Sequence, residues 1–323
     1  MSEEYLLITG ATGFIGSHVI EKLLSDKSYR LITIVRKSRN YKNVNDLRSK
    51  GVSLVEGNFY DKNLIEKIFE KFPVQNVIHL AALRGGGAGT KEDFYEVNVR
   101  GTEVLLAASL KNQVKKFIFC SSVGVFGTIP KEVPANLKTE LNGDNAYHNS
   151  KILAEEKVRE FINRGLNAYI IRPTITYGTG DQGFPKTLVE LVKKRVFLLP
   201  FKDIKIHLLD VTSLAELVSQ MVKYDSLNQR VFIAADEAPI PLKELVNSIH
   251  FHYYRTNYPP ILKLPNSIFK VLSLAFQLSR NEKWLTRILL VSKSWHYDRS
   301  ETTSTFQFIP AQTKDSFLKT MYY

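Results

Sequence analysis

Apolar residues in the first half of the chain fall into short runs separated by longer amphipathic stretches. The runs Tyr5–Thr9, Leu31–Val35, Ser53–Glu56, Asn76–Leu80, Lys116–Ser121 and Ala168–Arg172 predict strands, and helical periodicity fills most of the gaps between them. Such β-α repetition demands a parallel sheet covered by helices on both faces, an α/β doubly wound arrangement. After Pro173 the pattern loosens into a Gly-rich turn at Tyr177–Gly183, helical stretches at Pro185–Lys194 and Val211–Tyr224, a strand at Arg230–Ala234 and a helix from Leu242. The expected organisation is a first unit over 1–178 and a smaller second unit over 179–323, with about 205–235 returning to the first.

The opening segment is a strand, a Gly-rich turn and a helix. Gly10, Gly13 and Gly16 give the spacing GxxGxxG, in which absent side chains let the backbone turn sharply and approach a pyrophosphate at a helix N-terminus. This predicts a Rossmann-type dinucleotide-binding domain over 1–178 and a mainly substrate-binding domain over 179–323. An acid usually stands about twenty residues beyond the glycines to bind the adenosine ribose. Here that position holds Arg36, with Lys37 and Arg39 beside it. This charge suits the 2′-phosphate of NADP better than NAD, which stays the alternative; a solvated basic loop is the plainer reading.

Further along, Tyr147 and Lys151 stand four residues apart in AYHNSK, on one face of a helix. A nearby ammonium favours a phenolate, so the spacing predicts a lowered Tyr147 pKa and a residue usable for proton transfer at a secondary alcohol. Upstream, an apolar strand ends in Ser121 and Ser122, at the edge where parallel sheets bind ligands.

Composition narrows the choices. With 44% hydrophobic and 24% charged residues the chain of 323 residues has the make-up of a globular protein. Its single cysteine, Cys120, forms no internal disulfide and supports no cysteine-rich metal site, so a reducing cytoplasm is the expected location. Met1–Glu4 is polar and acidic, unlike the start of a signal peptide, and no apolar stretch reaches the roughly 18 residues of a membrane span. The net charge of +12 is dispersed, without basic runs or nucleic-acid-binding signatures. It points to a phosphate-bearing small molecule, not to nucleic acid.

Seven ordered segments, TGATGFIG, VIHLAA, NVRGT, CSSVGVFG, YHNSK, IIRPTITYG and HLLDV, resemble the extended short-chain dehydrogenase/reductases of the NAD-dependent epimerase/dehydratase family across most of residues 5–250. The resemblance implies that Ser122 orients the substrate oxygen, that Tyr147 is the acid/base, and that Lys151 holds the nicotinamide ribose and tunes Tyr147. It further implies cofactor contacts from Gly10, Gly13, Phe14, Ile15, Gly16, Asn58, Phe59, Leu80, Ala81, Ala82 and Pro173, with Arg172 and Pro173 preceding the segment that closes over the nicotinamide. Arg36 and Asn58 stand where the family carries acids. Family dehydratases resemble one another in an Asp-Glu pair after the Ser/Thr; Val123 and Gly124 stand there instead, which argues against sugar dehydration.

The remaining candidates have plainer readings. Cys120 reads as a small core residue and His79 as structural. His207 and Asp210 are too few for a metal site, none is predicted, and they fit a domain junction. The loop Leu83–Asp93 is a lid or a flexible connection. Leu264–Arg280 is apolar and flanked by basic residues; it is expected to pack within the substrate domain, membrane-surface contact being the lesser alternative.

The leading functional expectation is hydride transfer at a secondary alcohol or ketone of a nucleotide sugar, as in an epimerase. Second comes an NADP-dependent reductase or dehydrogenase of an apolar alcohol, suggested by a tail similar to dihydroflavonol-reductase-like and 3β-hydroxysteroid-dehydrogenase-like members. A non-catalytic dinucleotide sensor is third. A homodimer is compatible with the sequence.

Overall fold

A computed structural model of the chain describes residues 4–26, 29–36, 41–85, 89–224, 227, 229–259, 262–307 and 309–322. Seven parallel strands form the central sheet: β1 (Glu4–Thr9), β2 (Tyr29–Val35), β3 (Ser53–Glu56), β4 (Val74–His79), β5 (Lys116–Cys120), β6 (Ala168–Pro173) and β7 (Val231–Ala234). Their order is β7-β6-β5-β4-β1-β2-β3, so the sheet is a doubly wound Rossmann-like α/β fold. All seven strands lie within a residue or two of the sequence expectation.

Alternation along the strands explains why both faces are covered. Leu6 and Ile8 point into a core closed by α1 (Phe14–Asp26) and by the helix Val211–Lys223, while Leu7 and Ile32 point into the opposite core. That second face is closed by the helices Lys62–Lys71, Gly101–Lys111 and Ala146–Asn163. A third apolar cluster joins Val125 and Phe126 to Ile206 and Leu208, to Leu245 and Ile249, and to Trp295 and Phe317.

One buried polar cluster ties the last described helix, Thr313–Tyr322, to this body. Asp236 accepts from Tyr177 Oη (2.8 Å), Thr313 Oγ1 (2.5 Å) and the Asp210 amide (2.8 Å), while His207 Nε2 meets the Asp236 carbonyl at 3.0 Å. His207 and Asp210 thus belong to a structural junction of side chains. Burial, opposed by these hydrogen bonds, pushes the Asp236 carboxyl up to about 7. Its unfolded value is near 3.9, so the folded state binds the proton more tightly. Its contribution is therefore fully present below about pH 4 and is lost as pH rises through about 7. Asp236→Asn should flatten that part of the stability profile, read from urea midpoints across this window; an unchanged slope would assign the pH dependence elsewhere.

Candidate active site

The strand order reverses beside β1, whose neighbours are β2 and β4, and a crevice at the carboxyl ends of such strands is where doubly wound sheets bind ligands. The loops after β1 and β4 meet there. Gly10 has φ +80°, and a Cβ on it would lie 2.7 Å from the Ala81 amide nitrogen. A Cβ on Gly16 would come within 2.1 Å of the Gly10 carbonyl oxygen, so α1 packs too closely on the turn for any side chain. Gly13 differs: its Cβ would meet only the Gly10 oxygen, at 3.1 Å, leaving its outer side open. One glycine for the turn, one for close approach and one for helix packing is the arrangement a pyrophosphate cradle needs, so these residues fit a dinucleotide. Phe14 and Ile15 open α1, Phe14 lying 3.7 Å from where a Gly180 Cβ would stand.

This geometry separates two substitutions that look alike in sequence. Gly13→Val should leave a folded protein with no measurable cofactor binding by titration, whereas Gly16→Val should compromise folding itself. Normal cofactor titration by folded Gly13→Val would remove the cradle assignment.

Beneath the cradle, buried His79 bridges Thr9 Oγ1 (2.6 Å) and Thr102 Oγ1 (3.0 Å). Thr102 donates to the Asn98 carbonyl at 2.6 Å, so it accepts from His79 Nε2–H, and Nδ1 then accepts from Thr9. Thr9 Oγ1 in turn accepts from the Ala81 amide at 3.2 Å, fixing the Leu80–Ala82 segment. Burial pushes the His79 imidazole down to about 3, which keeps it neutral. His79 is structural, as expected, but it also shapes the cofactor-side loop.

Asn58 and Phe59 follow β3 on the other side of the cleft. The Phe59 ring lies 5.1 Å from His79, centroid to centroid, and covers Gly101, where a Cβ would come within 2.6 Å of it. Arg36 follows β2, is exposed, and has no ion pair among the described residues. Lys37 and Arg39, and residues 86–88 of the Gly-rich loop, lie outside the described residues.

The reactive side of the crevice is built by the helix Ala146–Asn163. Asn145 caps it, accepting from the His148 amide at 2.9 Å, and so places Tyr147 in the first turn. The Tyr147 ring lies against Gly85, where a Cβ would stand 3.3 Å away, and the Ser122 hydroxyl is near enough to Tyr147 to favour its ionised form. Ser122 is itself fixed at the end of β5, its Oγ accepting from the Gly124 amide at 3.0 Å. The four-residue spacing places Tyr147 and Lys151 one turn apart on this helix, and Ser122, just past the end of β5, lies on the Tyr147 side.

The expected lowering of the Tyr147 pKa is corrected. Burial pushes the phenol up to about 12, opposed by the nearby Ser122 hydroxyl and the Arg84 charge. Lys151 is buried and its Nζ donates to the Cys120 carbonyl at 2.8 Å, 4.7 Å from the Phe119 ring centroid. Its ammonium is held by the end of β5, and its own pKa is depressed by burial. Cys120 is a buried core residue whose thiol burial pushes up, away from nucleophilic use.

Three supporting residues escaped the sequence reading. Glu155, one turn beyond Lys151, receives Arg172 Nε on Oε1 (2.8 Å) and Arg172 Nη2 on Oε2 (2.6 Å), clamping the Tyr147 helix to β6 just before buried Pro173. Its helical spacing to Lys151 was the available signal. Asn98 accepts from the Leu83 amide (2.7 Å) and donates to Ser150 Oγ (2.9 Å), joining the loop after β4 to the same helix. His148 Nδ1 meets Asp144 Oδ1 at 2.5 Å, and its ring fills the space beside Gly124, 2.4 Å from where a Cβ would stand. No group of three or more His, Cys, Asp or Glu able to hold a metal occurs among the described residues.

Fold and crevice together define a Rossmann-like α/β protein whose Gly-rich turn fits a dinucleotide. Residues 6–223 match the model of the NAD dependent epimerase/dehydratase family, and the chain belongs to that family. It is similar to the UDP-glucose 4-epimerase of Homo sapiens, 29% identical over 214 residues, covering 59% of this chain and 61% of that one. The UDP-glucose 4-epimerase of Erwinia amylovora is 34% identical over 162 residues, 48% of each chain. The matches thus span 61% of the human relative's length and 48% of the bacterial one's. Among solved structures, the UDP-glucose 4-epimerase of Thermotoga maritima with UDP-glucose superposes with a TM-score of 0.76 at 22% identity, covering 99% of this chain and 98% of that one. The Bordetella bronchiseptica enzyme WbmH in complex with NAD+ gives 0.76 at 18% identity, covering 98% and 96%. At these identities the structural likeness bears on the fold.

Proposed function

We propose that this chain is a nicotinamide-dinucleotide-dependent epimerase of nucleotide sugars, acting through hydride transfer at a secondary alcohol. The observation that carries this reading is the placement of Ser122, just past the end of β5, and Tyr147, in the first turn of its helix, at the carboxyl edge of the sheet that also holds the tightly packed Gly10–Gly16 turn. The names of the curated relatives support the sugar class. In this reading Gly10, Gly13, Phe14, Ile15 and Gly16 hold the pyrophosphate at the start of α1. Arg36, Asn58 and Phe59 border the adenosine, and Leu80, Ala81, Ala82 and Pro173 line the nicotinamide side.

When bound, the cofactor would take hydride from the carbinol carbon as Tyr147 takes the proton from its oxygen, and would give it back to the opposite face of the reoriented keto sugar, so that the epimer forms with no net cofactor turnover. Ser122 orients the substrate oxygen by its hydroxyl, Tyr147 removes and returns the proton on that oxygen, and Lys151 holds the ribose. A phenol raised to about 12 is protonated at neutral pH, the form that gives a proton back to a ketone; taking the proton from the alcohol needs the phenolate, which a positive charge beside it favours. Among the chain's own groups the Arg84 charge acts on Tyr147 in that direction, while the Lys151 ammonium, one turn along the helix, is tied to the Cys120 carbonyl.

Arg36 supports NADP as the preferred cofactor, because a guanidinium pairs with a 2′-phosphate where a carboxylate would repel it. One charge-assisted contact is worth roughly 1.5 to 3 kcal/mol, so Arg36→Ala should weaken NADP about ten-fold or more. Arg36→Asp should invert the preference. Dissociation constants for both cofactors at one salt concentration decide this, and wild-type binding of NAD at least as tight as NADP would make Arg36 a solvated loop residue.

Arg36 also favours a second reading, net reduction or oxidation of an apolar secondary alcohol. Incubation with NAD or NADP and a panel of nucleotide sugars and apolar alcohols separates the two: an epimer without a lasting absorbance change supports the first, stoichiometric cofactor conversion the second.

A further inference from the structure

The helices Asn266–Leu278 and Glu282–Ser292 form a hairpin that is only half packed. Phe269, Leu290 and Val291 enter the third apolar cluster. On the other side Ile268, Val271, Leu274 and Leu278 recur three, three and four residues apart, a single stripe, with fractional exposures of 39, 67, 56 and 76%. Trp284 stacks on Phe276, ring centroids 6.0 Å apart, and is 47% exposed. Phe201, 64% exposed, adjoins the base of the hairpin through its amide, which donates to the Leu264 carbonyl at 3.0 Å. The expectation that this segment buries its apolar face on the core is met on one side only.

The charge around the stripe selects what covers it. From Leu262 to Lys293 there are six Lys or Arg against one acid, and Arg287 stands 5.0 Å from the Trp284 ring centroid. A second copy laid face to face would set two such positive rims together. An anionic lipid surface satisfies both the apolar stripe and its rim. A helix of 13 residues is about 20 Å long, short of the roughly 30 Å hydrocarbon core, and among the described residues no helix is long and apolar enough to cross a membrane.

We propose that this hairpin is an interfacial anchor, lying in the plane of an anionic membrane surface with Val271, Leu274, Leu278 and Trp284 at the acyl boundary and its Lys and Arg among the headgroups. The anchor leaves the crevice residues untouched and does not depend on which reaction they perform.

The test is co-sedimentation of the full chain with phosphatidylcholine vesicles containing about a third phosphatidylserine, against phosphatidylcholine alone, at low and high salt. The expected result is partitioning to the anionic vesicles, weaker by about ten-fold or more without phosphatidylserine or in high salt, with a blue shift of Trp284 fluorescence. Val271→Glu with Leu274→Glu, at exposed positions that the fold does not use, should abolish partitioning with cofactor binding unchanged. Lys270→Glu with Lys283→Glu should do so through charge alone. No sedimentation of the wild type at low salt, or equal sedimentation of the variants, would overturn the proposal. So would a wild-type dimer in light scattering that Val271→Glu with Leu274→Glu converts to a monomer, because a second copy would then cover the stripe.

Discussion

Tyr147→Phe should lower turnover by roughly 10²- to 10⁴-fold while changing cofactor affinity by no more than a few-fold. The substitution keeps the ring that lies against Gly85 and 6.3 Å from Phe94, and removes only the hydroxyl. What is lost is the proton carrier, not the pocket. Ser122→Ala removes an orienting hydroxyl and should cost less than Tyr147→Phe. Steady-state rates and cofactor titrations on the same preparations check both, and turnover of Tyr147→Phe within a few-fold of wild type would assign proton transfer to another group.

Glu155→Ala should cost about 3 to 5 kcal/mol of stability. It strips both acceptors from the Arg172 guanidinium, which is 2% exposed and held over the Phe126 ring at 5.0 Å, and leaves a buried, uncompensated charge. Arg159 loses its acceptor as well, but at the surface, where an ion pair is worth little. Against a total of about 5 to 15 kcal/mol for a typical domain, the loss is severe. The double change Glu155→Leu with Arg172→Met removes both charges and should recover much of it. Urea unfolding of the single and double variants measures the difference; a single variant within about 1 kcal/mol of wild type would mean that water or another side chain satisfies Arg172.

The elements that carry local signals were legible in the sequence. Strand runs, the Gly10–Gly16 turn and the Tyr147–Lys151 spacing each depend on residues within a few positions of one another, which periodicity and backbone sterics register. The direction of Lys151 was not, because its choice of the Cys120 carbonyl depends on a strand end 31 residues away. The same holds for Asp236, whose partners Tyr177 and Thr313 lie 59 and 77 residues off on either side. The raised phenol of Tyr147 follows from burial by segments that meet only in the folded chain. For the hairpin, apolar periodicity identified a helix but not which part of its apolar arc the protein covers.

In the proposed function, Tyr147 and a nicotinamide cofactor would invert a nucleotide-sugar carbinol through reversible hydride transfer. The most direct measurement uses nucleotide sugars, beginning with UDP-glucose deuterated at C4, incubated with the wild type and saturating cofactor, and follows product stereochemistry, label and cofactor absorbance together. The expected product is an epimer that retains its deuterium at the same carbon while the cofactor absorbance ends where it began. Epimer that has lost its label to solvent, or no epimer from any nucleotide sugar offered to a protein that binds cofactor, would contradict it.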